Sequence, residues 1–388
     1  MTLPRLAVLC DMPEENWPSM DLVGEMLLET LRAEHAADVR AERICPPMKR
    51  RFSRPSRLRN QLAANNADRL INRFRDYPRL LRRERRNFHL FHIVDHSYAQ
   101  LVHELPAERT IVTCHDLDTF RCLLEPEREP RSKAFVRLTR KILDGLRKAA
   151  KVTCDSEATR TELLKHKVVP AERTVVIHNG VHPTCSPEPD ELADKEVAQL
   201  LGPLDNDAIE VLHVGSTVER KRIDVLLHVF AAIKNEFPKG KLVRAGGEFT
   251  SEQLKTVEQL GLTENIVVLP PLTRPVLSSV YRRAALLLQP SEREGFGLPV
   301  VEAMACGTPV VASDLDVLRE VGGGAAVYSP VADVRVWSDA VIALLHDRRD
   351  DPLQWETRRK ECLMQSAKFT WSEYASRMVG LYRDLWGS

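Results

Sequence analysis

Short apolar runs alternate with amphipathic stretches along most of the chain. The runs are four to six residues long and predict buried strands, while apolar side chains between them recur at helical spacing, as in 22–31 and 223–233. This alternation predicts an α/β protein with parallel sheets covered by helices on both faces. The strands predicted are Leu6–Cys10, Leu90–Val94, Thr110–Thr113, Lys151–Cys154, Thr174–Ile177, Ile209–Val214, Lys241–Ala245, Ile266–Leu269, Ala285–Gln289, Pro309–Ala312 and Ala325–Tyr328.

A change in composition divides this series into two. Residues 182–207 are rich in proline and acids, carry no predicted strand, and follow the turn dipeptide Asn179-Gly180. We therefore predict two doubly wound domains, residues 1–181 and 182–369, facing a central cleft at the carboxyl ends of their strands, where such sheets bind ligands. A final helix over 370–388 begins at a capping box of Thr370 and Glu373.

Charge is balanced overall but concentrated in one segment. The 388 residues include 56 Lys+Arg and 55 Asp+Glu, for a net charge of +1, which gives no indication of nucleic-acid binding. Residues 49–86 alone carry +11, interleaved with an apolar series: Leu62, Leu70, Phe74, Tyr77 and Leu81. Three interpretations stay open for this segment: a surface that adheres to anionic membrane, a lid over an anionic acceptor, or a solvated helix pair.

Features of the chain as a whole indicate a cytoplasmic protein. No apolar run approaches the roughly 18 residues of a membrane span, and the N-terminus turns acidic too early for a signal peptide. Eight scattered cysteines without a C-x-x-C pair predict free thiols rather than disulfides or a zinc site. Peripheral attachment at the inner face of the membrane is the open alternative, through residues 49–86.

The densest candidate site lies in residues 291–313. Gly295 and Gly297 bracket Phe296, and Leu298-Pro299 opens a helix, because proline suits the first helical position. The N-terminus of such a helix favours an anion. Glu294 precedes the loop and Glu302 lies about one turn into the helix, so both carboxylates are placed to accept hydrogen bonds from sugar hydroxyls.

A second candidate site follows the strand Val211–Val214. After a turn at Gly215, Arg220 and Lys221 precede a helix, where fixed cations would stabilise the charge on a departing diphosphate. A divalent metal plays that role elsewhere. The two Asp-x-Asp tripeptides, 116–118 and 314–316, are interpreted as ordinary loops, so no metal site is expected.

At this point the sequence resembles a known family. Glu294 and Glu302 around GFGLP, followed by AMACGTPVVAS, resemble the E-x7-E signature of the retaining glycosyltransferases of family 4. Further stretches over nearly the whole chain are similar to the same family: 213–227, 152–165, 174–183, the HDL at 115–117 and the C-terminal helix. The resemblance implies the GT-B fold, which consists of two Rossmann-like domains.

The resemblance also implies an activity. It implies transfer of a sugar from a nucleotide-diphosphate sugar to an acceptor hydroxyl, with retention of configuration and no metal or other cofactor. The donor would bind the C-terminal domain and the acceptor the N-terminal domain. The catalytic residues implied are Glu294, His115 and Lys221, and the donor-binding residues implied are Arg220, Lys221, Gly295, Phe296, Gly297, Leu298 and Glu302.

Individual roles follow for three of these residues. Glu302 is expected to bind the donor ribose, and Glu294 the transferred sugar. His115, at the end of the strand 110–113, is expected to orient a hydroxyl near the reacting sugar or to accept its proton. Asp95 and His96 are weaker candidates of the same kind.

Several alternatives remain at this stage. Instead of the family's Gly-Gly loop, DMPEENWPSMD follows the first strand, so the acceptor contacts are not predicted in detail. The acceptor is left open among a glycan, a lipid-linked sugar and a small molecule, as are the base and sugar of the donor. A nucleotide-sugar epimerase, a phosphorolytic enzyme and a non-catalytic membrane-binding module are the competing functions, whereas a dehydrogenase would need a G-x-G-x-x-G.

Overall fold

The protein is described by a computed structural model over residues 3–53, 61–203 and 209–387. It divides into two compact α/β units. The first holds the residues up to Gly180 together with those from Trp371 onward, and the second is Val181–Thr370. Each unit contains one six-stranded, all-parallel sheet.

The first sheet has the strand order β2-β1-β3-β4-β5-β6. Its central strands are buried on both faces, which explains their nearly continuous apolar sequences. The strands are β1 Arg5–Leu9, β2 Arg40–Ile44, β3 Leu90–Ile93, β4 Thr110–Cys114, β5 Lys151–Cys154 and β6 Thr174–Val176. The helices of this unit are α1 Pro18–Glu34, α2 Gln61–Ile71, α3 Tyr77–Glu84, α4 Arg121–Leu124, α5 Lys133–Lys148, α6 Glu157–Lys165 and α15 Trp371–Gly387, with a π-helical segment at Asn72–Asp76 and a 3-10 helix at His96–Glu104.

The second sheet has the order β12-β11-β10-β7-β8-β9. Its strands are β7 Glu210–Val214, β8 Lys241–Ala245, β9 Ile266–Val268, β10 Leu286–Gln289, β11 Val310–Ser313 and β12 Val327–Ser329. The helices of this unit are α7 Glu191–Leu201, α8 Ile223–Glu236, α9 Ser251–Gln259, α10 Arg274–Arg283, α11 Leu298–Ala305, α12 Asp316–Gly322, α13 Val334–Asp350 and α14 Pro352–Ser366.

Each strand order contains a point where the winding of the sheet reverses. In the first sheet this switch point lies between β1 and β3, and in the second between β7 and β10. The loops that leave the two neighbouring strands run to opposite faces, so a crevice opens at their carboxyl ends. These two crevices position the candidate site residues described below.

Helix α15 belongs to the first unit although it is far away in sequence. It packs against α1, and the hydroxyl of Tyr382 lies 2.8 Å from Nδ1 of His92. The other ring nitrogen of His92 lies 2.8 Å from Oγ1 of Thr113 on β4, and the imidazole is fully buried. The helix is therefore tied to the sheet by a buried polar chain as well as by apolar packing.

All eleven strands predicted from the sequence are present, with ends shifted by at most two residues. The strand that sequence reasoning missed is β2. It lies at the edge of the first sheet, where Arg40 and Arg43 are exposed and the alternation of apolar residues is weak. The eight cysteines are free, and six of them are buried. Across the described ranges, no helix is long and apolar enough to cross a bilayer.

Candidate active site

The two motifs of the second unit meet at its switch point. The loop after β7 leads through a 3-10 turn at Glu219–Lys221 into α8, and the loop after β10 leads into α11. The backbone N–H of Glu292 donates to the carbonyl of Arg220 at 2.9 Å and joins the two loops. Residues that the sequence placed in separate motifs are thus side by side.

Lys221 and Glu294 form a buried ion pair at this junction. Nζ of Lys221 lies 2.6 Å from Oε1 of Glu294, and the two side chains are 11% and 7% exposed. Gln289 and Ser291 donate to the same oxygen at 2.5 and 2.7 Å, and Nη1 of Arg220 lies 3.6 Å from Oε2. Burial alone would raise the pKa of Glu294, but the charges of Lys221 and Arg220 outweigh it and hold that pKa at about 2. The Glu294 carboxylate is therefore ionised at neutral pH.

Glu302 has a different environment, although it lies only eight residues further along the chain. It is the fifth of the eight residues of α11, is 8% exposed, and accepts a 2.8 Å hydrogen bond from the hydroxyl of Tyr281 on α10. Burial raises its pKa to about 7, against the opposing effect of the Tyr281 hydrogen bond. The loop and helix thus carry two carboxylates with widely separated pKa values, an arrangement typical of functional sites.

Backbone geometry explains the glycine at the start of α11. Gly297 has φ of 94° in the left-handed region, and a Cβ there would lie 2.7 Å from Cδ2 of Leu318. Phe296 is buried and packs edge-on against Phe369, with ring centroids 5.7 Å apart. Leu298 is the first residue of the helix; Pro299 has no N–H, and the N–H of Val300 donates to the carbonyl of Gly297 at 2.9 Å. The positive end of the helix dipole faces the loop and favours an anion there.

His115 lies in the first unit, directly after β4. Its Nδ1 is 2.9 Å from Oδ2 of Asp155, and its Nε2 is 2.7 Å from the carbonyl oxygen of Val94. Because both partners accept, both ring nitrogens must donate, as only the imidazolium can. Burial alone would lower the pKa of His115, but Asp155 raises it to about 9. The geometry thus favours a fixed positive charge over the proton acceptor that was hypothesised from the sequence.

Two carboxylates meet at the switch point of the first sheet. Asp11 follows β1 and Asp95 follows β3, and both are at most 5% exposed. Asp95 accepts from the N–H of Ser97 at 2.7 Å, whereas neither oxygen of Asp11 has a hydrogen-bond partner among the described residues. Burial and Asp95 raise the pKa of Asp11 well above its ordinary value, while Asp95, although buried, has its pKa lowered to about 2 by His96 and His115. Burial and the neighbouring charge of Asp95 thus both oppose ionisation of Asp11.

Both Asp-x-Asp tripeptides have a carboxylate paired with an arginine. Asp118 lies 3.4 Å from Nε of Arg121, and Asp314 lies 2.9 Å from Nη2 of Arg319. In the described parts of the chain, no group of three or more His, Cys, Asp or Glu residues is arranged to hold a metal ion.

The basic segment 49–86 packs onto the first unit, and Arg54, Arg57 and Arg59 lie outside the described residues. Tyr77 and Leu81 belong to the core, where the Tyr77 hydroxyl donates to the carbonyls of Cys10 and Ile44 at 3.0 and 2.7 Å. These two members of the apolar series therefore stabilise the fold and are not available at the surface. Among its members, the exposed ones are Leu62 (71%) and Leu70 (45%).

Sequence reasoning missed the side chains that orient the candidates. Gln289, Ser291 and Asp155 are polar residues at or just beyond the ends of buried strands, and that position is the signal that would have revealed them. Tyr281 gives no such signal, because it lies within α10 and reaches Glu302 only through the tertiary fold.

The fold and the charged crevice of the second unit together define a class, the GT-B proteins with two Rossmann-like domains. Residues 23–184 match the family described as Glycosyltransferase Family 4, and residues 201–361 match Glycosyl transferases group 1. The chain belongs to the family-4 glycosyltransferases.

Individual relatives agree with this assignment. The chain is 29% identical to an O-antigen chain mannosyltransferase B of Escherichia coli over 83% of this chain and 84% of that protein. It is 31% identical to a D-inositol 3-phosphate glycosyltransferase 1 of Catenulispora acidiphila over 53% of this chain and 51% of the relative. The chain thus spans about half the length of the first curated relatives it matches.

Solved structures share the fold at lower identity. A sucrose-phosphate synthase from Thermosynechococcus elongatus superposes with a TM-score of 0.73 and 20% identity, covering 99% of both chains. HepE of Anabaena, solved in complex with UDP and glucose, also has a TM-score of 0.73, with 15% identity over 98% of this chain and all of the other. These similarities concern the fold alone.

Proposed function

We propose that this protein is a retaining glycosyltransferase that moves a sugar from a nucleotide-diphosphate sugar to an acceptor hydroxyl without a metal ion. The observation that carries the proposal is the buried Lys221–Glu294 pair, with Arg220 beside it, at the switch point where a sheet of this kind binds its ligand. HepE, which shares the fold, is described in complex with UDP and with UDP-glucose, which supports a donor of this class.

The cations of this crevice suit a diphosphate leaving group. An ammonium has three donors, and Glu294 engages one of those of Lys221, so two remain for phosphate oxygens. Negative charge grows on the diphosphate as the glycosidic bond breaks, and a fixed cation stabilises it without reorganisation. Glu294, held in one orientation by Lys221, Gln289 and Ser291, then accepts from a hydroxyl of the transferred sugar.

Glu302 binds the ribose in this proposal. A carboxylate that accepts from sugar hydroxyls must be ionised, and the pKa of Glu302 is about 7. Nucleotide affinity should therefore rise between pH 6 and pH 8. Glu302→Gln should bind nucleoside diphosphate more weakly and lose this part of the pH dependence.

A control variant sharpens the ribose assignment. Tyr281→Phe retains the carboxylate but removes its hydrogen-bond donor, so its binding curve should shift to higher pH. Calorimetric titration of UDP and GDP against each variant measures both effects. Unchanged affinity in Glu302→Gln across this pH range would remove Glu302 from the donor site.

The first unit holds the acceptor in this proposal. The His115 imidazolium provides a fixed charge near the acceptor hydroxyl rather than a base, and the departing phosphate takes the hydroxyl proton. The acceptor is a glycan, a lipid-linked sugar or a small molecule.

A thermal-shift panel tests the donor class. A ligand that binds the folded protein alone raises its stability by about 2.7 kcal/mol at one hundred times its Kd. UDP-, GDP-, ADP- and dTDP-sugars at equal concentration should give one donor base with a clearly larger shift. Incubation with that donor alone then separates the alternatives, since an epimerase converts the free donor and a transferase requires the acceptor.

We further propose that the basic segment attaches the first unit to an anionic membrane. Arg79, Arg83 and Arg86 are exposed and have no ion-pair partner in the described part of the chain, and Leu62 and Leu70 are exposed nearby in sequence. Each cation near such a surface contributes about 1 kcal/mol, and the attraction falls as salt rises.

Vesicle co-sedimentation tests this attachment. Arg79, Arg83 and Arg86 changed together to serine should lose binding to vesicles with phosphatidylserine, whereas the matched change of Lys133, Arg137 and Arg140 on α5 should retain it. If neither the wild type nor the control binds, and the first variant alone loses transfer to a soluble acceptor, the segment acts as a lid.

A further inference from the structure

An arginine of the second unit is buried without an ion-pair partner among the described residues. Arg244 lies in β8 and is the register partner of His213 in β7, so the two side chains project from the same face of the sheet. Both residues have no exposed surface. They occupy the fourth position of each five-residue strand, immediately before the carboxyl ends that carry the Gly215 and Gly246 loops.

The contacts of Arg244 leave most of its donors unused. Nη2 donates to the carbonyl oxygen of Gly215 at 2.9 Å, and the guanidinium carbon lies 4.7 Å from the ring centroid of Phe249. Nε and Nη1 have no hydrogen-bond partner, and none of the described carboxylates lies within 4.0 Å of the guanidinium. Burial lowers the pKa of Arg244 to about 10 against the opposing charge of Glu248, and the guanidinium stays charged at neutral pH.

His213 adds no negative charge to this environment. Both of its ring nitrogens lack partners, and burial, followed by the charges of Arg244 and Lys221, lowers its pKa well below the ordinary value. The imidazole is therefore neutral at physiological pH. Lys221, which lies in the loop after β7, is by contrast paired with the carboxylate of Glu294.

Glycines fix the backbone above Arg244. A Cβ on Gly246, which has φ of 124°, would lie 2.3 Å from the carbonyl oxygen of Gly215. That oxygen is thus enclosed between Arg244 and the Gly246 backbone. The loop that leads to Lys221 begins at this point, and Arg244 contributes to holding its first carbonyl, while the N–H of Gly215 donates to the carbonyl of Ala245 at 2.9 Å.

An isolated buried charge is strongly unfavourable unless an opposite charge or a set of hydrogen bonds compensates it. The second unit contains a contrasting case. Arg283 is largely but not fully buried, with 10% of its side chain exposed, and it pairs with both oxygens of the buried Glu210 at 2.7 and 2.6 Å, at the amino end of β7. One arginine is neutralised within the fold, and the other lies beside the proposed phosphate loop without a partner.

We propose that Arg244 is a positioning residue for the donor diphosphate: it holds the Gly215 carbonyl, and its charge is compensated when a nucleoside diphosphate occupies the adjoining loop. The inference rests on the proposed function and extends it to a residue outside both motifs. It implies that the apo protein tolerates the loss of this charge better than the complex does.

The test compares Arg244→Met with Arg283→Met in the full-length protein. We expect Arg244→Met to unfold at an equal or higher urea concentration than the wild type, while its affinity for UDP or GDP, whichever the wild type binds, falls about tenfold or more. Affinity for the corresponding nucleoside, which lacks phosphate, should stay unchanged. Arg244→Lys, which retains the charge, should recover part of the lost affinity.

Arg283→Met should show the opposite behaviour, with reduced stability and unchanged nucleotide affinity, because it leaves Glu210 buried without a partner. Equal losses of diphosphate and nucleoside binding in Arg244→Met, or a loss of stability as large as that of Arg283→Met, would make Arg244 a structural residue only. If the wild type binds the diphosphates and Arg244→Met binds them equally tightly, the inference alone fails. If the wild type binds none of them, the proposed function fails with it.

Discussion

The two sheets use their switch points in different ways. Between β1 and β3 the first sheet brings together two carboxylates, Asp11 and Asp95, whereas between β7 and β10 the second brings Lys221 against Glu294. Both pairs are buried and both follow strands at the carboxyl edge. In the first pair burial and like charge oppose ionisation of Asp11, whereas the second is an ion pair with Arg220 beside it. Topology therefore positions the pair, and the residue types decide whether the crevice suits a phosphate.

The substitution expected to have the largest effect on this contrast is Lys221→Ala. We expect turnover to fall by about 10²- to 10³-fold or more, because the departing diphosphate loses its fixed cation. Glu294 would also lose its main counter-charge, so its pKa should rise. Steady-state kinetics measures the loss. In the wild type, excess EDTA should leave activity intact, and activity that disappears with EDTA and returns with Mg²⁺ or Mn²⁺ would contradict the metal-free proposal.

Glu294→Ala is expected to have the next largest effect. It removes the acceptor for the transferred sugar but leaves Lys221 and the loop amides for the diphosphate. Turnover should fall by about 10²-fold while affinity for the nucleoside diphosphate changes little. Comparing kcat with the calorimetric Kd separates the two, and parallel losses would indicate that Glu294 only supports the loop.

His115 provides a pH test on the first unit. A histidine whose pKa is raised in the folded protein contributes stability in full below its unfolded value of about 6.5, and that contribution is lost as pH rises to about 9. Between these two pH values, the contribution of His115 to the free energy of unfolding falls by roughly 3 kcal/mol. Urea unfolding between pH 6 and 9.5 should show this decline in the wild type. The same slope in His115→Gln would mean that another group titrates.

The smallest expected effect concerns Asp11. The pKa of Asp11 is higher in the folded protein than in the unfolded chain. The free energy of unfolding therefore decreases as pH rises above the unfolded pKa of about 4. Asp11→Asn should therefore be about 1 kcal/mol more stable than the wild type at pH 7 and similar to it at pH 4. Asp95→Asn is the matched control and should be destabilised at pH 7, since Asp95 is ionised and accepts from Ser97. Equal effects of the two substitutions would show that the carboxylates are not coupled.

Local sequence predicts this molecule well where contacts are short-range. Buried parallel strands have continuous apolar sequences, and Glu294 and Glu302 share one loop and helix, so their spacing is visible in the chain. The polar edge strand β2 was not predicted, because an edge strand buries few side chains and so shows no clear apolar pattern. Arg244 lay inside a predicted strand, and only tertiary contacts reveal that it lacks a partner. The protonation state of His115 likewise depends on Asp155, forty residues away.

Helix α15 imposes an order on the synthesis of this protein. The second unit, Val181–Thr370, is continuous in sequence, so all of its elements are synthesised before the residues of α15. The first unit lacks α15 until translation has passed Thr370. The contact between His92 and Tyr382, which are 290 residues apart, can form only after that. Domains generally fold as units during translation. The unit that begins first is therefore completed last, and expressing it separately requires joining residues 371–388 to the chain that ends at Gly180.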